Sequence, residues 1–467
     1  MTLTVAGGVA LALLAWQRAV RPRGVGPHQA PPPATRPTAP PAARPPDILL
    51  FTIDTLRADH ASTYGYARET TPTLTQLAGR GARFEHAYAT ATWTTPSLAS
   101  VFTGVLPSEH GVTREQEAPD GSGLQTVLPA ELPSLTESLQ RAGYHTLGVT
   151  MNTFLVAGLG FERGFDEYVP VALGTLADLR AALAPRLAGL RASGQPFFLW
   201  VHVLDAHAPY HARPPAFDAF WPAPRPRFPE LQDVMQPELF DQLLANDPGG
   251  ERKGYVVAAY DSEIQACDAY LAELLAALAP RPLAVLVAGD HGEEFADHGR
   301  YGHGHTMFEE SLRVPLVVAL PGASAGRVEA TPVSLVDVLP TLVEVGGAPL
   351  PAGLAGRSLL PALRGEALAE RPVFAEIEWI EAASAVISGD EKYAESAGVE
   401  SAPALYDLRR DPAEQHNLAA TQPARSAELR RLLRTTLAAA RARQPLLSAR
   451  PFEPPDLEKL RALGYVH

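Results

Sequence analysis

The chain is poor in cysteine and in positive charge. Cys267 is the single cysteine among 467 residues, so neither an intramolecular disulfide nor a cysteine-based zinc cluster can hold the fold. Lysine and arginine number 39 against 52 aspartates and glutamates, which gives a formal net charge of −13. No basic stripe of the kind that neutralises a phosphate backbone is present, which argues against nucleic acid as a partner. The core must form by ordinary hydrophobic burial.

The N-terminus lacks the basic residues that open a standard export signal. Residues 1–17 carry no charge and are mostly apolar, which is the length of a secretory hydrophobic region and short for a membrane span. Arginines follow this run instead of preceding it, so a signal and a membrane anchor both stay open. Residues 31–46 hold eight prolines in sixteen positions and predict an extended spacer. We expect an exported or membrane-tethered protein of the cell envelope.

The remainder of the chain alternates between buried strands and helices. Short apolar runs predict strands at 47–53, 145–150, 196–204, 282–289 and 314–319. Helical patterns lie at 73–80, 97–103, 132–142, 176–191 and 253–279. This order predicts an α/β fold with a large, mostly parallel central sheet flanked by helices. Beyond about residue 370, shorter strands and a helix near 425–442 predict a smaller C-terminal α+β subdomain.

The predicted domain organisation has four parts. They are a signal or anchor at 1–17, a proline-rich linker at 18–46, a catalytic domain at 47–370, and a C-terminal subdomain with its tail at 371–467.

Acidic and histidine residues follow several predicted strands. Asp54 ends the first strand, and the adjacent Asp290 and His291 follow the strand at 282–289. In parallel sheets, ligands bind outside the carboxyl ends of the strands. A carboxylate oxygen beside an imidazole nitrogen suits a divalent metal ion, and Asp54 would supply a further ligand. The alternative for Asp54 is a helix cap for the residues that follow.

The segment 92–104 predicts a helix that opens at Pro96 and Ser97. A helix N-terminus presents free backbone N–H groups and a positive dipole to an anion. From the residues alone, Thr94 or Thr95 would be the cap of this helix.

Six motifs in order resemble the sulfatase family of the alkaline-phosphatase superfamily. The motifs are TIDTLRADHASTYGY, TTPSLASVFTG with PSEHG, HVLDAHAPY, AGDHGEEF, GHGHTMFEESLRVPLVV and LYDLRRDPAEQHNLA. The resemblance covers about residues 47 to 420. It implies a large α/β domain, a smaller C-terminal subdomain, and metal-dependent hydrolysis of sulfate or phosphate esters.

The resemblance also implies roles for individual residues. Asp54, Asp290 and His291 correspond to metal ligands, and Thr94 to the nucleophile, which also binds the metal. His207 matches the histidine that contacts the transferred anion or the leaving group, and His303 falls where many members have a lysine.

Two more residues are expected to contact the substrate, and a second metal site stays open. The substrate contacts are Asn152, in the slot of the family's Lys-x-His motif, and His305. A second metal ion would draw on Asp205, His207, His211 or His305. The C-terminal motif, with Tyr406, Asp407, Asp411 and Asn417, is expected to fix a turn.

Four positions depart from the family pattern. Typical sulfatases convert a cysteine or serine to formylglycine, which threonine cannot become, so a Thr94 ester would have to be hydrolysed by activated water. Leu98 stands in place of the motif arginine, and Thr55 replaces the second aspartate of an Asp-Asp pair. Since His291 takes a position often held by asparagine, Mn²⁺ and Zn²⁺ are as compatible as Ca²⁺ with the site.

Three functions remain open from the sequence. One is a hydrolase of phosphodiester, phosphate or phosphonate bonds, which Thr94, Leu98 and His291 favour. Another is a sulfatase that works without formylglycine. The last class comprises a transferase of phospho-alcohol groups in the cell envelope and an inactive binding protein. The substrate is a small-molecule, glycan or lipid ester.

Overall fold

The computed structural model describes residues 44–113, 116–117, 123–171, 174–232, 247, 249–322, 326–378, 382–396 and 402–451. The predicted signal or anchor and the spacer up to residue 43 lie outside the described residues. Among the described residues, no helix combines the length and the apolar character needed to span a bilayer.

The strands are numbered in chain order. They are β1 Asp47–Ile53, β2 Ala82–Phe84, β3 Ala87–Tyr88, β4 Gln116–Glu117, β5 Gly123–Val127, β6 His145–Thr150, β7 Glu167–Pro170, β8 Phe197–Val203, β9 Leu283–Gly289, β10 Glu294–Phe295, β11 Tyr301–Gly302, β12 Arg313–Val314, β13 Leu316–Ala319, β14 Arg327–Glu329, β15 Val333–Ser334, β16 Val373–Glu378, β17 Ala382–Ser388, β18 Glu391–Ser396, β19 Ala404–Asp407 and β20 Ser448–Pro451.

The α-helices lie between these strands and after them. They are α1 Pro72–Ala78, α2 Thr94–Thr103, α3 Pro107–His110, α4 Leu135–Arg141, α5 Leu176–Ala192, α6 Ala216–Phe220, α7 Glu251–Leu278, α8 Glu309–Leu312, α9 Val338–Val345, α10 Leu360–Arg364 and α11 Pro423–Arg441.

An eight-stranded sheet with the order β14-β2-β13-β9-β1-β8-β6-β7 forms the centre of the fold. Strands β9, β1, β8, β6 and β7 run parallel to one another, as the alternation of strands and helices predicts. Strand β13 runs antiparallel to β9, so the sheet is mixed. The apolar run at 314–319 indicates a strand but carries no information on its direction.

Both faces of the central sheet are covered. In β1, Ile48 and Leu50 face one hydrophobic cluster, whereas Leu49, Phe51 and Ile53 face another on the opposite side. All seven residues of β1 are buried. This pattern explains why the strand reads as a continuous apolar run instead of an alternating one.

The C-terminal part forms the four-stranded antiparallel sheet β16-β17-β18-β19, against which α11 packs. Lys392 of β18 is fully buried, and its ammonium lies 3.0 Å from Glu309 Oε1 and 2.6 Å from Glu414 Oε1. The main chain beside Glu309 in turn contacts the loop after β9, because Gly292 N–H donates to Ser311 O at 2.9 Å. The smaller α+β subdomain is thus joined to the central sheet near the end of β9.

The turn role expected for the C-terminal motif agrees with the hydrogen bonds there. Asn417 Oδ1 accepts from Leu405 N at 3.1 Å, and the Asp411 carboxylate accepts from the backbone of Gln415 and His416.

Candidate active site

Two aspartates lie side by side where β1 and β9 end. The parallel register pairs Ile53 with Gly289, so the residues that follow, Asp54 and Asp290, leave the sheet at the same level. Both carboxylates are fully buried. Thr55 adopts φ +53°, an unusual value for a β-branched residue, and its N–H donates to Asp290 Oδ1 at 3.2 Å. This tight turn holds the two strand ends together.

Three atoms that can bind a metal ion face one another at these strand ends. Asp54 Oδ1 and Asp290 Oδ2 have no hydrogen-bond partner among the described residues. His291 Nδ1–H donates to the Gly292 carbonyl at 2.9 Å, which directs Nε2 toward the aspartates, 3.4 Å from Asp54 Oδ1 and 3.7 Å from Asp290 Oδ2. Buried acceptors of this kind are costly unless a cation lies among them. The donor set therefore fits a divalent metal ion.

The ionisation of the three groups follows from their proximity. Burial raises the pKa of Asp54, but the neighbouring imidazoles of His202 and His291 outweigh burial and hold this pKa well below its usual value. Burial and the Asp54 charge raise the pKa of Asp290 to about 6. Burial lowers the pKa of His291, but the Asp290 and Asp54 carboxylates raise it to about 9. Without a cation, His291 therefore holds a proton at neutral pH.

Thr94 opens α2 beside the two aspartates. Its Oγ1 lies 3.3 Å from Asp54 Oδ2 and 3.4 Å from His291 Nε2. The expectation that Thr94 or Thr95 caps a helix starting at Ser97 is wrong, because the helix begins at Thr94 and Trp93 occupies the cap position without a side-chain cap bond. The Thr94 hydroxyl is thus available to the site instead of to the helix backbone.

Asn152 follows β6 and reaches both Asp54 and Thr94. Its Nδ2 donates to Asp54 Oδ2 at 2.8 Å and to Thr94 Oγ1 at 3.2 Å. Its Oδ1 accepts from Phe154 N at 2.8 Å, which fixes the orientation of the amide. Substrate contact by Asn152 stays a prediction, whereas these bonds show that it orients the hydroxyl of Thr94.

His202 of β8 belongs to the same cluster. The alternating strand pattern indicates a structural residue there, but His202 Nε2 lies 3.2 Å from Asp54 Oδ2. Ligand atoms of Asp54, His202 and Asp290 all lie within 4.8 Å of one another. We call Asp54, His202, Asp290 and His291 the strand-end floor.

The histidine rim, defined as His207, His303 and His305, lies above the floor on two loops. The His303 ring is 4.6 Å from the His291 ring and 5.0 Å from the His207 ring, measured between centroids. The structure thus brings His207 and His303 together beside His291. His305 follows two residues after His303 and is buried, and its contact with substrate stays a prediction.

Glu293 orients His303, a contact that sequence reasoning missed. Glu293 Oε1 lies 3.0 Å from His303 Nδ1, and Tyr210 O–H donates to Glu293 Oε2 at 2.5 Å. Burial lowers the pKa of His303, an effect that the Glu293 charge opposes in part. The motif AGDHGEEF shows that an acid follows His291 by two residues, but the pairing depends on the loop at 296–303.

Asp205 and His211, which were candidates for a second metal site, lie in an ion-pair cluster with Arg213 and Glu263. Arg213 binds Asp205 Oδ1 at 2.9 Å and approaches Glu263 Oε1 at 3.4 Å, while His211 Nδ1 lies 3.6 Å from the same Glu263 oxygen. One guanidinium is thus shared by two carboxylates, and burial raises the pKa of Asp205 and of Glu263. A second metal ion stays a prediction.

Two departures from the family pattern are explained by where the side chains lie. Leu98 is fully buried in the hydrophobic cluster that includes Leu50. The Thr55 hydroxyl lies 2.7 Å from the Ala206 carbonyl, to which it can donate. Neither position presents a charged group to the strand-end floor.

Comparison with protein-family models gives two matches. The model described as "Sulfatase" matches residues 46–348, and the model "N-sulphoglucosamine sulphohydrolase, C-terminal" matches residues 296–443.

Proteins with similar sequences include two sulfatases. Delta 4,5-hexuronate-2-O-sulfatase of Bacteroides thetaiotaomicron is 25% identical over 434 residues, which cover 80% of this chain and 84% of that protein. Human arylsulfatase A is 28% identical over 449 residues, with the same coverage of 80% and 84%.

Solved structures share the fold. A protein solved with its substrate D-glucosamine-2-N,6-O-disulfate superposes with a TM-score of 0.70 at 18% identity, covering 86% of this chain and 99% of that one. Phosphonate monoester hydrolase of Agrobacterium radiobacter gives a TM-score of 0.67 at 20% identity, covering 88% and 100%. These structures confirm the α/β fold with its smaller C-terminal part.

Proposed function

Because the chain belongs to the sulfatase family and is a sulfatase-like ester hydrolase, we propose that it cleaves phosphodiester or phosphonate esters with Thr94 as nucleophile and a divalent metal ion as cofactor. The observation that carries the proposal is the position of Thr94 Oγ1, which lies within 3.5 Å of Asp54, His291 and Asn152 at the start of α2. Sulfate esters are the second candidate, favoured by the names of the two sulfatase relatives.

The metal ion would be held by Asp54, Asp290, His291 and Thr94. When bound, such a cation supplies positive charge that acidifies a neighbouring hydroxyl and stabilises the negative charge of the transition state.

The protein's own residues prepare the nucleophile. Asp54 Oδ2 accepts a hydrogen bond from the Thr94 hydroxyl at 3.3 Å, and Asn152 Nδ2 donates to Thr94 Oγ1 at 3.2 Å. The donation from Asn152 stabilises negative charge that develops on the oxygen. The N-terminus of α2 adds the positive end of a helix dipole at the same place.

The histidine rim would complete the reaction in two steps. In the first, the Thr94 hydroxyl loses its proton to solvent, Thr94 Oγ bonds to phosphorus or sulfur, the ester bond breaks, and a protonated rim histidine gives its proton to the leaving oxygen. His303 is the proposed donor, because the Glu293 carboxylate holds its Nδ1 and opposes the lowering of its pKa by burial. In the second, water attacks the same phosphorus or sulfur and gives a proton to the rim histidine, the bond to Thr94 Oγ breaks, and Thr94 regains its hydroxyl proton from solvent. The threonine carbon that carries the ester has no second hydroxyl, unlike hydrated formylglycine. An adjacent hydroxyl therefore cannot expel the product, and water must cleave the ester.

The preference for diesters and phosphonates over phosphate monoesters follows from the charges in the site. The buried Leu98 and the neutral Asn152 stand where the family resemblance places an arginine and a lysine. A site whose cationic groups are titratable histidines suits a singly charged ester anion better than the dianion of a phosphate monoester. The transferase and the inactive binding protein are not favoured.

Export and membrane tethering stay predictions that depend on residues 1–46.

The test is a substrate panel with the full chain and variants at two adjacent threonines. We expect bis(4-nitrophenyl) phosphate and a 4-nitrophenyl phosphonate to be hydrolysed faster than 4-nitrophenyl sulfate and 4-nitrophenyl phosphate. Thr94→Val should lower kcat at least about 10⁴-fold, as loss of a nucleophile does, and Thr94→Ser should keep measurable activity. Thr95→Val is the matched control, because the Thr95 hydroxyl has no hydrogen-bond partner among the described residues.

Acid-quenched turnover of the diester should leave a covalent adduct on the peptide that contains Thr94. Unchanged kcat in Thr94→Val would overturn the nucleophile, whereas faster cleavage of the sulfate ester than of the diester would replace the first candidate by the second.

A further inference from the structure

We propose that His202 is a ligand of the metal ion and that the site therefore selects Zn²⁺ or a similar transition metal over Ca²⁺. This inference rests on the proposed function, because it concerns the same metal site. It adds a residue from the middle of the sheet to the ligands at the strand ends.

The position of the His202 ring supports the assignment. His202 has no solvent exposure, and its partner in the parallel register is Thr52, two residues before Asp54. Its Nε2 lies 3.2 Å from Asp54 Oδ2, and one ligand atom each from Asp54, His202 and Asp290 fit within 4.8 Å. A cation bound by both aspartates is thus within reach of this nitrogen.

The hydrogen bonds at Nδ1, on the opposite side of the His202 ring, are compatible with either tautomer. His202 Nδ1 lies 2.9 Å from Thr52 Oγ1, which also accepts a bond from Trp200 Nε1 at 3.0 Å. The Thr52 hydroxyl has a second acceptor in Val201 O, at 3.5 Å. When the hydroxyl points to Val201, His202 Nδ1–H can donate to Thr52 and leave a lone pair on Nε2. Histidines that bind metals regularly donate their other ring N–H in this way.

The side chain of Thr55 shows why a further ligand is needed. Its hydroxyl is 2.7 Å from the Ala206 carbonyl and 2.8 Å from the Asp54 carbonyl. A residue engaged with the main chain does not replace a carboxylate in the site. The imidazole of His202, on the neighbouring strand, would supply the missing ligand.

Charge and donor type then determine which metal ion fits. Two carboxylates, Asp54 and Asp290, neutralise a divalent cation, and two imidazoles, His202 and His291, bind it beside Thr94 without adding charge of their own. Ca²⁺ takes six to eight oxygen ligands, whereas imidazole suits zinc and its neighbours. The site thus has the composition of a transition-metal centre.

The decisive measurement counts imidazoles on the bound metal. The full chain is loaded with Zn²⁺, and its X-ray absorption fine structure is recorded together with Zn²⁺ and Ca²⁺ affinities from chelator competition. We expect two imidazoles in the wild-type protein and one in His202→Gln. Glutamine keeps an N–H donor for Asp54 but has no imidazole. The substitution should lower Zn²⁺ affinity at least about 100-fold, as loss of a direct ligand exceeds loss of a supporting partner, with little change for Ca²⁺.

His145→Gln is the matched control, because His145 lies on the neighbouring strand β6 and pairs with the surface residue Asp166. It should keep two imidazoles and the wild-type affinity. Circular dichroism of each variant, recorded in the presence of chelator, monitors folding. The imidazole count of the wild-type protein tests the proposal even if a variant does not fold.

One imidazole in the wild-type zinc protein would overturn the role of His202 and leave the proposed function standing. Tighter binding of Ca²⁺ than of Zn²⁺ would overturn the metal preference. Binding of neither ion would overturn the proposed function itself.

Discussion

The strand-end floor and the histidine rim meet at His291 and His303 but are built differently. Asp54, His202, Asp290 and His291 are all 0% exposed, and their backbones belong to or directly follow strands of the central sheet. The rim histidines are 6–8% exposed and lie on loops. The floor holds several charged groups at fixed short distances, whereas in the rim Glu293 holds His303 and the Ala208 carbonyl holds His207.

This difference indicates a division of tasks. A metal site needs ligands that do not move when it is filled, which strand ends provide. A proton donor must instead meet leaving groups of different shapes, which suits histidines carried by loops. Mutations in the two regions should therefore have separable effects on metal content and on turnover.

The largest expected effect comes from the floor. Asp290→Asn should abolish stoichiometric metal binding and lower kcat/KM at least about 10³-fold, because it removes a charged ligand from a buried site. Metal content by elemental analysis and steady-state kinetics measure both.

Asp205→Asn is the control for this substitution, since Asp205 also follows a strand but pairs with Arg213. Its activity should stay within about tenfold of the wild type. A loss of metal in Asp205→Asn would show that the floor extends to the loop after β8.

The rim should affect turnover without affecting the metal. His303→Asn and Glu293→Gln are each expected to lower kcat about 10²-fold or more, the usual contribution of a general acid. Zn²⁺ affinity should stay unchanged in both. A parallel fall in Zn²⁺ affinity would place His303 among the metal ligands and end the distinction between floor and rim.

The proton on His291 should make metal binding depend on pH. Its pKa is raised to about 9 by Asp290 and Asp54 in the metal-free protein, and a histidine must be neutral to bind a metal. Zn²⁺ affinity should therefore rise about tenfold per pH unit up to about pH 9 and then level off. Chelator competition at several pH values measures the slope.

His291→Asn supplies the comparison, because asparagine carries no titrating proton. The slope above about pH 7 should disappear, since Asp290, with a pKa of about 6, is ionised there. A slope that persists would assign the proton to another group.

The smallest effect is expected from a histidine outside both regions. His110 is fully buried, its Nδ1 accepts from Val112 N at 3.1 Å, and its Nε2 lies 3.2 Å from Ser100 Oγ and Pro96 O. Burial lowers its pKa to about 3, so the ring is neutral. His110→Gln should reduce the free energy of unfolding by about 1–3 kcal/mol, the cost of unpaired buried polar groups.

Chemical denaturation measures this loss, and metal content should be unchanged. Loss of metal in His110→Gln would indicate that the start of α2 depends on His110.

Three of the four floor residues could be predicted from the residue pattern, whereas the rim histidines were predicted through the family resemblance. Asp54, Asp290 and His291 follow apolar runs, and the sheet geometry requires residues after neighbouring parallel strands to meet. The assignment of Thr94 as nucleophile depended on the family resemblance, because its local sequence equally fits a helix cap.

Contacts that depend on tertiary structure could not be predicted. His202 lies within a strand, where alternation predicts a buried structural residue. Its approach to Asp54 results from the register between β1 and β8. Likewise, Glu293 pairs with His303 across a loop whose path no periodicity describes. The reversed direction of β13 also has no signature in its short apolar run.

The ion pair of the buried Lys392 indicates that the active site needs the C-terminal sheet as well as the central sheet. Lys392 binds Glu309, and the next residues, Glu310 and Ser311, accept hydrogen bonds from Glu293 N and Gly292 N. A Cβ at Gly292 would lie 1.8 Å from the Glu310 carbonyl, so the two segments are in close contact. The C-terminal sheet thus contacts, through Lys392 and the segment 309–311, the turn that carries His291. We expect a shortened enzyme that ends after the central sheet to keep every proposed metal ligand and to lose the contacts that hold the turn with His291 in place.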